Sequence, residues 1–222
     1  MKALQSKIPF ALMLALACAA ITSFPSISQA EEFSRWELKT SAVIVTADKN
    51  TAIDEPAGGQ YQSDGDAQVG LGVAVEYHYT DLISFEVARV SATAMDIDYT
   101  AGDARTSQGE GIRFMPILAG ANFHFLNSKN LDLFAGPRVA FVNFGGFSTE
   151  INGETVNFKV ENETAWGAVA GAKYKFGDGT WALLAEMTYL DVDTEITRSD
   201  NLETFVDSYN PLMMTIGLTH RF

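Results

Sequence analysis

Cysteine is nearly absent from this chain. The one thiol, Cys18, lies within an N-terminal stretch that reads as an export leader. Lys2 and Lys7 give that stretch a positive start, and Ile8 to Ile21 form an apolar segment too short to span a bilayer. Ser28-Gln29-Ala30 supplies a small-x-small cleavage site. Residues 1–30 are therefore expected to be a signal peptide and 31–222 the functional domain. Ala15 stands where a lipoprotein leader carries leucine, three residues before its cysteine, and apolar residues continue after Cys18, so lipid attachment is not expected. A mature chain without cysteine excludes disulfides, thiolate metal sites and a cysteine nucleophile.

Long apolar runs are also missing. After Ala30 no stretch of eighteen apolar residues occurs, so no transmembrane helix is expected. Basic residues are scarce: 15 Lys and Arg face 28 Asp and Glu, a net charge of −13 that becomes −15 once Lys2 and Lys7 leave with the leader. A surface of that sign makes nucleic acid an improbable partner. Only three histidines are present, His78, His124 and His220.

What the chain does have is alternation with period two. Over 68–79, Val69, Leu71, Val73, Val75, Tyr77 and Tyr79 point one way, and Gln68, Gly70, Gly72, Ala74, Glu76 and His78 the other. The run closes on small, apolar, polar, aromatic, polar, aromatic. That ending recurs at 120–125 (Gly-Ala-Asn-Phe-His-Phe), at 171–176 (Gly-Ala-Lys-Tyr-Lys-Phe) and at 217–222, where His220 takes one aromatic place and Phe222 is last. The first three endings are followed by short turns at 80–81, 126–130 and 177–180 and then by new strands from Leu82, Leu131 and Trp181. Long polar stretches separate the hairpins at about 47–66, 95–112, 145–164 and 191–210. With a first strand near 35–46, the count is eight.

Short turns on one side and long loops on the other are the layout of an all-β, eight-stranded antiparallel up-and-down transmembrane β-barrel. Closing the sheet pairs every backbone amide, which a bilayer demands. A secreted barrel of lipocalin type also has eight strands, but the repeated aromatic endings favour the membrane form, with Tyr77, Tyr79, Phe123, Phe125, Tyr174, Phe176 and Phe222 as the periplasmic girdle. The last strand, with Leu212, Met214, Ile216, Leu218, His220 and Phe222 on one face, resembles the C-terminal signal read by the outer-membrane assembly machinery. The expected location is the Gram-negative outer membrane, with outer-membrane lipid and lipopolysaccharide as surroundings.

Taking the aromatic phase as lipid-facing assigns the lumen. Near the periplasmic end it receives Glu37, Glu76, Glu86, Asp132 and Glu186 against Lys39, Arg138, Lys173, Lys175 and Arg221. Five acids and five bases confined to so narrow an interior are expected to pair into a neutral plug. The extracellular half is expected to be lined by Val43, Val45, Val90, Leu118, Val142, Phe144, Val169, Leu184 and Leu190. A water-filled pore is not lined this way. Such a chamber suits a small hydrophobic ligand, although plain side-chain filling of a narrow barrel explains it equally. Pro116 and Pro137 cannot donate to a ladder and mark places where the phase can slip; the face of Arg113 is left open. The loops carry the entire net charge of the mature chain. No catalytic residue, metal or cofactor is expected, because all three histidines fall at periplasmic strand ends, away from the height a lipid-modifying serine hydrolase would need.

The sequence resembles the outer-membrane protein W (OmpW) family. The resemblance rests on Trp166-Gly167, Gly171, Tyr174, Trp181 and Tyr189-x-Asp191-x-Asp193-Thr194, on Gln68-Val69-Gly70-Leu71, on Thr80-Asp81-x-Ile83-x-Phe85-Glu86, and on Pro116 and Arg221-Phe222. It has one proline where the family often has two, and His220 where tyrosine is usual. The resemblance implies an eight-stranded barrel that admits small hydrophobic molecules through a narrow apolar funnel and releases them sideways through the wall. The alternative is a non-conducting structural or surface-interaction barrel of OmpX or OmpA type, in which the loops do the work.

Overall fold

The computed structural model describes residues 35–46, 53–54, 59–64, 67–101, 104–108, 112–151, 154–199 and 204–222. The leader expected at 1–30 lies outside them. Among the described residues the regular elements are all strands: β1 (Trp36–Thr46), β2 (Ile53–Asp54), β3 (Gly59–Asp64), β4 (Gln68–His78), β5 (Ile83–Ala101), β6 (Ala104–Gln108), β7 (Ile112–Asn127), β8 (Leu131–Phe144), β9 (Phe147–Ile151), β10 (Glu154–Val160), β11 (Glu163–Phe176), β12 (Trp181–Arg198), β13 (Thr204–Tyr209) and β14 (Leu212–Arg221). Eight of these pair antiparallel in the order β11-β8-β7-β5-β4-β1-β14-β12, and β12 pairs back onto β11, so the sheet closes. Closure leaves the barrel itself without an unpaired edge.

The turn chemistry follows the sequence. Thr80 Oγ1 accepts from the Leu82 and Ile83 amides, and Gly177 and Gly179 take positive φ, 65° and 91°, in the tight 177–180 turn. Phe222 donates its amide to the Trp36 carbonyl at 3.0 Å, which ties the C-terminus to the start of the first strand. His220 fills its aromatic place, with its ring 4.3 Å from that of Trp181.

The register fixes the stagger. Stepping across paired residues from Tyr174 leads through Leu183, Leu218, Thr40, Val73, Arg89, Ile117 and Phe141 to Thr164. The circuit returns to β11 ten residues above its start, since 174 less 164 is 10. Such a shear goes with strands tilted by about 40°. Each residue then climbs about 2.5 Å along the axis, and ten residues climb about 25 Å, the height of an outer-membrane apolar band. The outer face matches: Val73, Val87 and Leu183 are each more than half exposed, with Tyr174, Phe176 and Phe222 at the lower edge and Trp166 and Tyr189 at the upper.

The stretches expected as polar loops are built differently. β5 continues to Ala101 and β12 to Arg198, and they pair above the barrel with β3, β6, β10 and β13. The reason is visible in β10 and β12, where Val156, Phe158, Val160, Val192 and Ile196 alternate with polar residues and turn one apolar face into the barrel mouth.

Candidate functional site

The lumen is divided in height. In its lower part a row of paired positions runs across neighbouring strands as Glu37, Glu76, Glu86, Gly120 and Arg138. Three carboxylates directly opposite one another repel, so this row requires cations from elsewhere. Lys39 Nζ lies 2.8 Å from Glu76 Oε2 and also bonds Glu86. Lys173, from the opposite wall, reaches Glu76 at 2.6 Å and Glu37 at 2.8 Å. Arg138 donates to Glu86 at 3.2 Å and to Asn122 Oδ1 at 2.7 Å. A Cβ at position 120 would stand 2.3 Å from the Pro137 carbonyl oxygen and 2.7 Å from Arg138 Nη1, so glycine is required there. Asn122 donates in turn to Glu76 and Glu86, at 2.9 and 3.3 Å. Buried ions are tolerable only when paired and hydrogen-bonded in this way.

Both upstream histidines join the plug. His78 Nε2 is 3.1 Å from Glu37, and His124 Nδ1 is 2.8 Å from Asp132. Of the five bases expected there, Lys39, Lys173 and Arg138 bond the plug acids directly. Lys175 is only half-buried and turns to Asn127 and the Ser128 carbonyl in the 128–130 turn. Arg221 is half-buried at the rim. Each sits near the end of its strand, and Arg221 lies opposite Glu37 across the β1–β14 pair.

Ser84, His124 and Asp132 form a hydroxyl–imidazole–carboxylate line, with Oγ–Nε2 at 2.9 Å and Nδ1–Oδ1 at 2.8 Å. Those are the distances of a serine nucleophile with its base and orienting acid. Here the Ser84 hydroxyl also donates to Glu76, and all three residues are buried within the plug. The line is part of the hydrogen-bond network. Glu76, His78 and His124 bring potential metal-ligand atoms within 4.8 Å of one another. An ion there would share the Glu76 carboxylate with the Lys39 and Lys173 ammonium groups, which repel it.

Phe134 packs inside the plug, opposite His124 on β7 and four residues below Arg138 on β8. Its ring lies 5.2 and 5.4 Å from Lys39 and Lys173 Nζ and packs with Val169 and Leu184. Position 171 must be glycine for it, because a Cβ would lie 2.4 Å from the Phe134 ring. Val169 and Leu184 pack on Phe134, apart from the upper apolar cluster. Leu184 stands two residues nearer the 177–180 turn than Glu186, and so falls at plug height.

The other seven residues assigned to the upper lumen are together. Val43, Val45, Val90, Leu118, Val142, Phe144 and Leu190 form one buried cluster with Phe114, Met213 and the apolar faces of β10 and β12. This half is packed, with side chains from the outer hairpins closing it above. Between cluster and plug lies a cavity of about 30 Å³, room for a water or two. Val43, Val90 and Leu118 wall it, and Lys39, Glu86, Arg138 and Glu186 form its polar side. Glu186 accepts from Thr188 at 3.4 Å through one oxygen, and its other oxygen is buried with no hydrogen bond.

The chain is similar to the outer membrane protein OprG from Pseudomonas aeruginosa, at 15% identity and a TM-score of 0.62 over 87% of this chain and 98% of that one. It is similar to the outer membrane protein AlkL, at 14% identity and a TM-score of 0.59 over 90% and 95%. It is also similar to Neisserial surface protein A, at 12% identity and a TM-score of 0.56 over 84% and 97%. Identities this low speak to fold alone, and no curated protein matches the sequence. The family model described as outer membrane protein beta-barrel domain matches residues 10–222. With a closed eight-stranded barrel, an apolar outer face and that match, the chain belongs to the outer membrane protein beta-barrel domain family and is a protein of the outer membrane.

Proposed function

We propose that this barrel, as a member of the OmpW type, takes small hydrophobic molecules from outside the cell into its upper lumen and does not pass them straight through to the periplasm. The observation that carries this reading is the division of the lumen. The upper lumen is walled by Val43, Val45, Val90, Leu118, Val142 and Leu190. Below them the barrel is filled by paired charges that no apolar solute can cross without breaking them. Entry requires the outer hairpins to shift, since Phe158 and Ile196 lie over the cluster. In this reading the barrel performs no reaction and holds no cofactor. Its lipid-facing surface contacts lipid and lipopolysaccharide, Phe222 is the terminal residue read by the assembly machinery, and residues 1–30 are removed on export.

Leu118→Arg and Val142→Glu each place a charge among those apolar walls. Both should abolish uptake of a hydrophobic solute into cells or proteoliposomes while the barrel still folds. Uptake at the wild-type rate in folded variants overturns the proposal. A second reading, a closed surface barrel whose hairpins are the active part, is favoured by the small size of the cavity between plug and cluster. Hairpin deletions that leave surface adhesion and envelope integrity intact count against it.

A further inference from the structure

We infer that the β5–β7 seam on the outer wall binds a phosphate group of an outer-leaflet glycolipid, with Arg89 below it and Arg113 above. The lipid-facing surface of this barrel is apolar almost throughout, and Arg89 interrupts it. Its side chain is exposed on the outward face, with Val87 on its own strand and Val73 and Ile117 opposite on β4 and β7. None of those neighbours can neutralise it, and an arginine within a bilayer is costly at the middle and tolerated only where it reaches the interface.

The register shows how far it must reach. On the circuit of eight steps from Tyr174 to Thr164, Arg89 is the fifth, which puts its backbone about 16 Å above Tyr174 along the axis. Trp166, two residues below Thr164 on β11 and 69% exposed, marks the upper interface about 4 Å higher. A guanidinium on its flexible stem can snorkel that distance.

Arg113 answers it from above. It pairs with Thr93 on the same seam, four residues above Ile117, and it too is exposed on the outward phase. Its backbone stands about 9 Å above the level of Trp166, which puts the interface within reach of both side chains from opposite sides. Ser91, exposed between them on β5, adds a hydroxyl. Two arginines and a hydroxyl on one outward seam form a fork for a phosphate monoester. On a chain of net charge −13 such a seam is where an anionic headgroup is drawn to the wall. The long hairpins lie at this end, so the leaflet is the outer one and the phosphate that of lipid A. The inference rests on the orientation of the barrel and not on solute uptake, and loss of either leaves the other standing.

The test is native mass spectrometry of the folded protein released from detergent with bisphosphorylated lipid A, with enzymatically dephosphorylated lipid A, or with phosphatidylglycerol. Bisphosphorylated lipid A should be retained by the wild type and lost by Arg89→Ala/Arg113→Ala to an occupancy about tenfold lower. Removing the phosphates should produce the same loss in the wild type. Equal retention by the double variant, or equal retention of the dephosphorylated lipid, overturns the inference. Phosphatidylglycerol held as well as lipid A overturns the assignment to the glycolipid. If the double variant does not fold, the wild-type comparison between phosphorylated and dephosphorylated lipid decides alone.

Discussion

Lys173→Met should be among the most damaging single substitutions in this protein, although it exchanges a charge for a shape that fits. The ammonium lies 2.8 Å from Glu37 and 2.6 Å from Glu76, and both carboxylates are buried. Methionine removes the cation and leaves two acids facing each other across a paired position, Glu37 opposite Glu76. Breaking a buried pair from one side costs about 3–5 kcal/mol, because the stranded charge keeps its desolvation penalty. The internal reference is Lys159→Met. Lys159 also touches a carboxylate, that of Glu161, but its side chain is 73% exposed, and exposed pairs contribute about 0–1 kcal/mol. Reversible urea unfolding from lipid vesicles, followed by tryptophan fluorescence, should separate the two variants by several kcal/mol. Adding Glu37→Gln to Lys173→Met should restore part of the loss, since one unpaired acid is then gone. If Lys173→Met costs no more than Lys159→Met, the lower lumen is wet and the plug is not a buried ion network.

Three further outcomes follow from the same geometry. Gly171→Ala pushes a methyl into the Phe134 ring and should cost about 1–3 kcal/mol by thermal unfolding, with Phe134→Leu in the same chain recovering much of it. Leu118→Arg and Val142→Glu should block hydrophobic uptake, as above. In the periplasmic 177–180 turn, hydrogen bonds from the Thr180 hydroxyl and amide hold the Asp178 carboxyl below its ordinary value of 3.8. A lowered folded-state value gives a contribution present above pH 3.8 and lost as pH falls through the lower folded value. Thr180→Ala should move the Asp178 titration, followed by NMR, back toward 3.8, and an unmoved titration contradicts the assignment.

Most of the barrel was legible because its signals are local. The aromatic endings set the phase of every strand, and that phase correctly sent Glu37, Glu76, Glu86 and Lys173 inward and Val73 and Leu183 outward. Height was legible for Leu184, which stands two residues nearer the 177–180 turn than Glu186. Val169, by contrast, is drawn away from the upper cluster because the Phe134 ring reaches across Gly171 to it. His78 and His124 were legible as inward-facing from the same phase, and only their bonds to Glu37 and Asp132 had to come from the structure. Lys175, in phase with the plug, is close enough to the turn to bond Asn127. The caps over the lumen were hidden by composition. The stretches 145–164 and 191–210 are acidic overall, yet Val156-x-Phe158-x-Val160 and Val192-x-Thr194-x-Ile196 alternate within them, which was the available signal. Arg89 was invisible as a feature until the register placed it among lipid-facing neighbours.

The division of the lumen is tested most directly by methyl NMR of the barrel in lipid nanodiscs, titrated with a small hydrophobic solute. Saturable shifts should appear at Val43, Leu118, Val142 and Leu190, with the imidazole signals of His78 and His124 unmoved. Shifts confined to Val73, Val87 and Leu183 on the outer face would mean that the solute only dissolves in the surrounding lipid, and shifts reaching the two histidines would mean that the plug is not a floor.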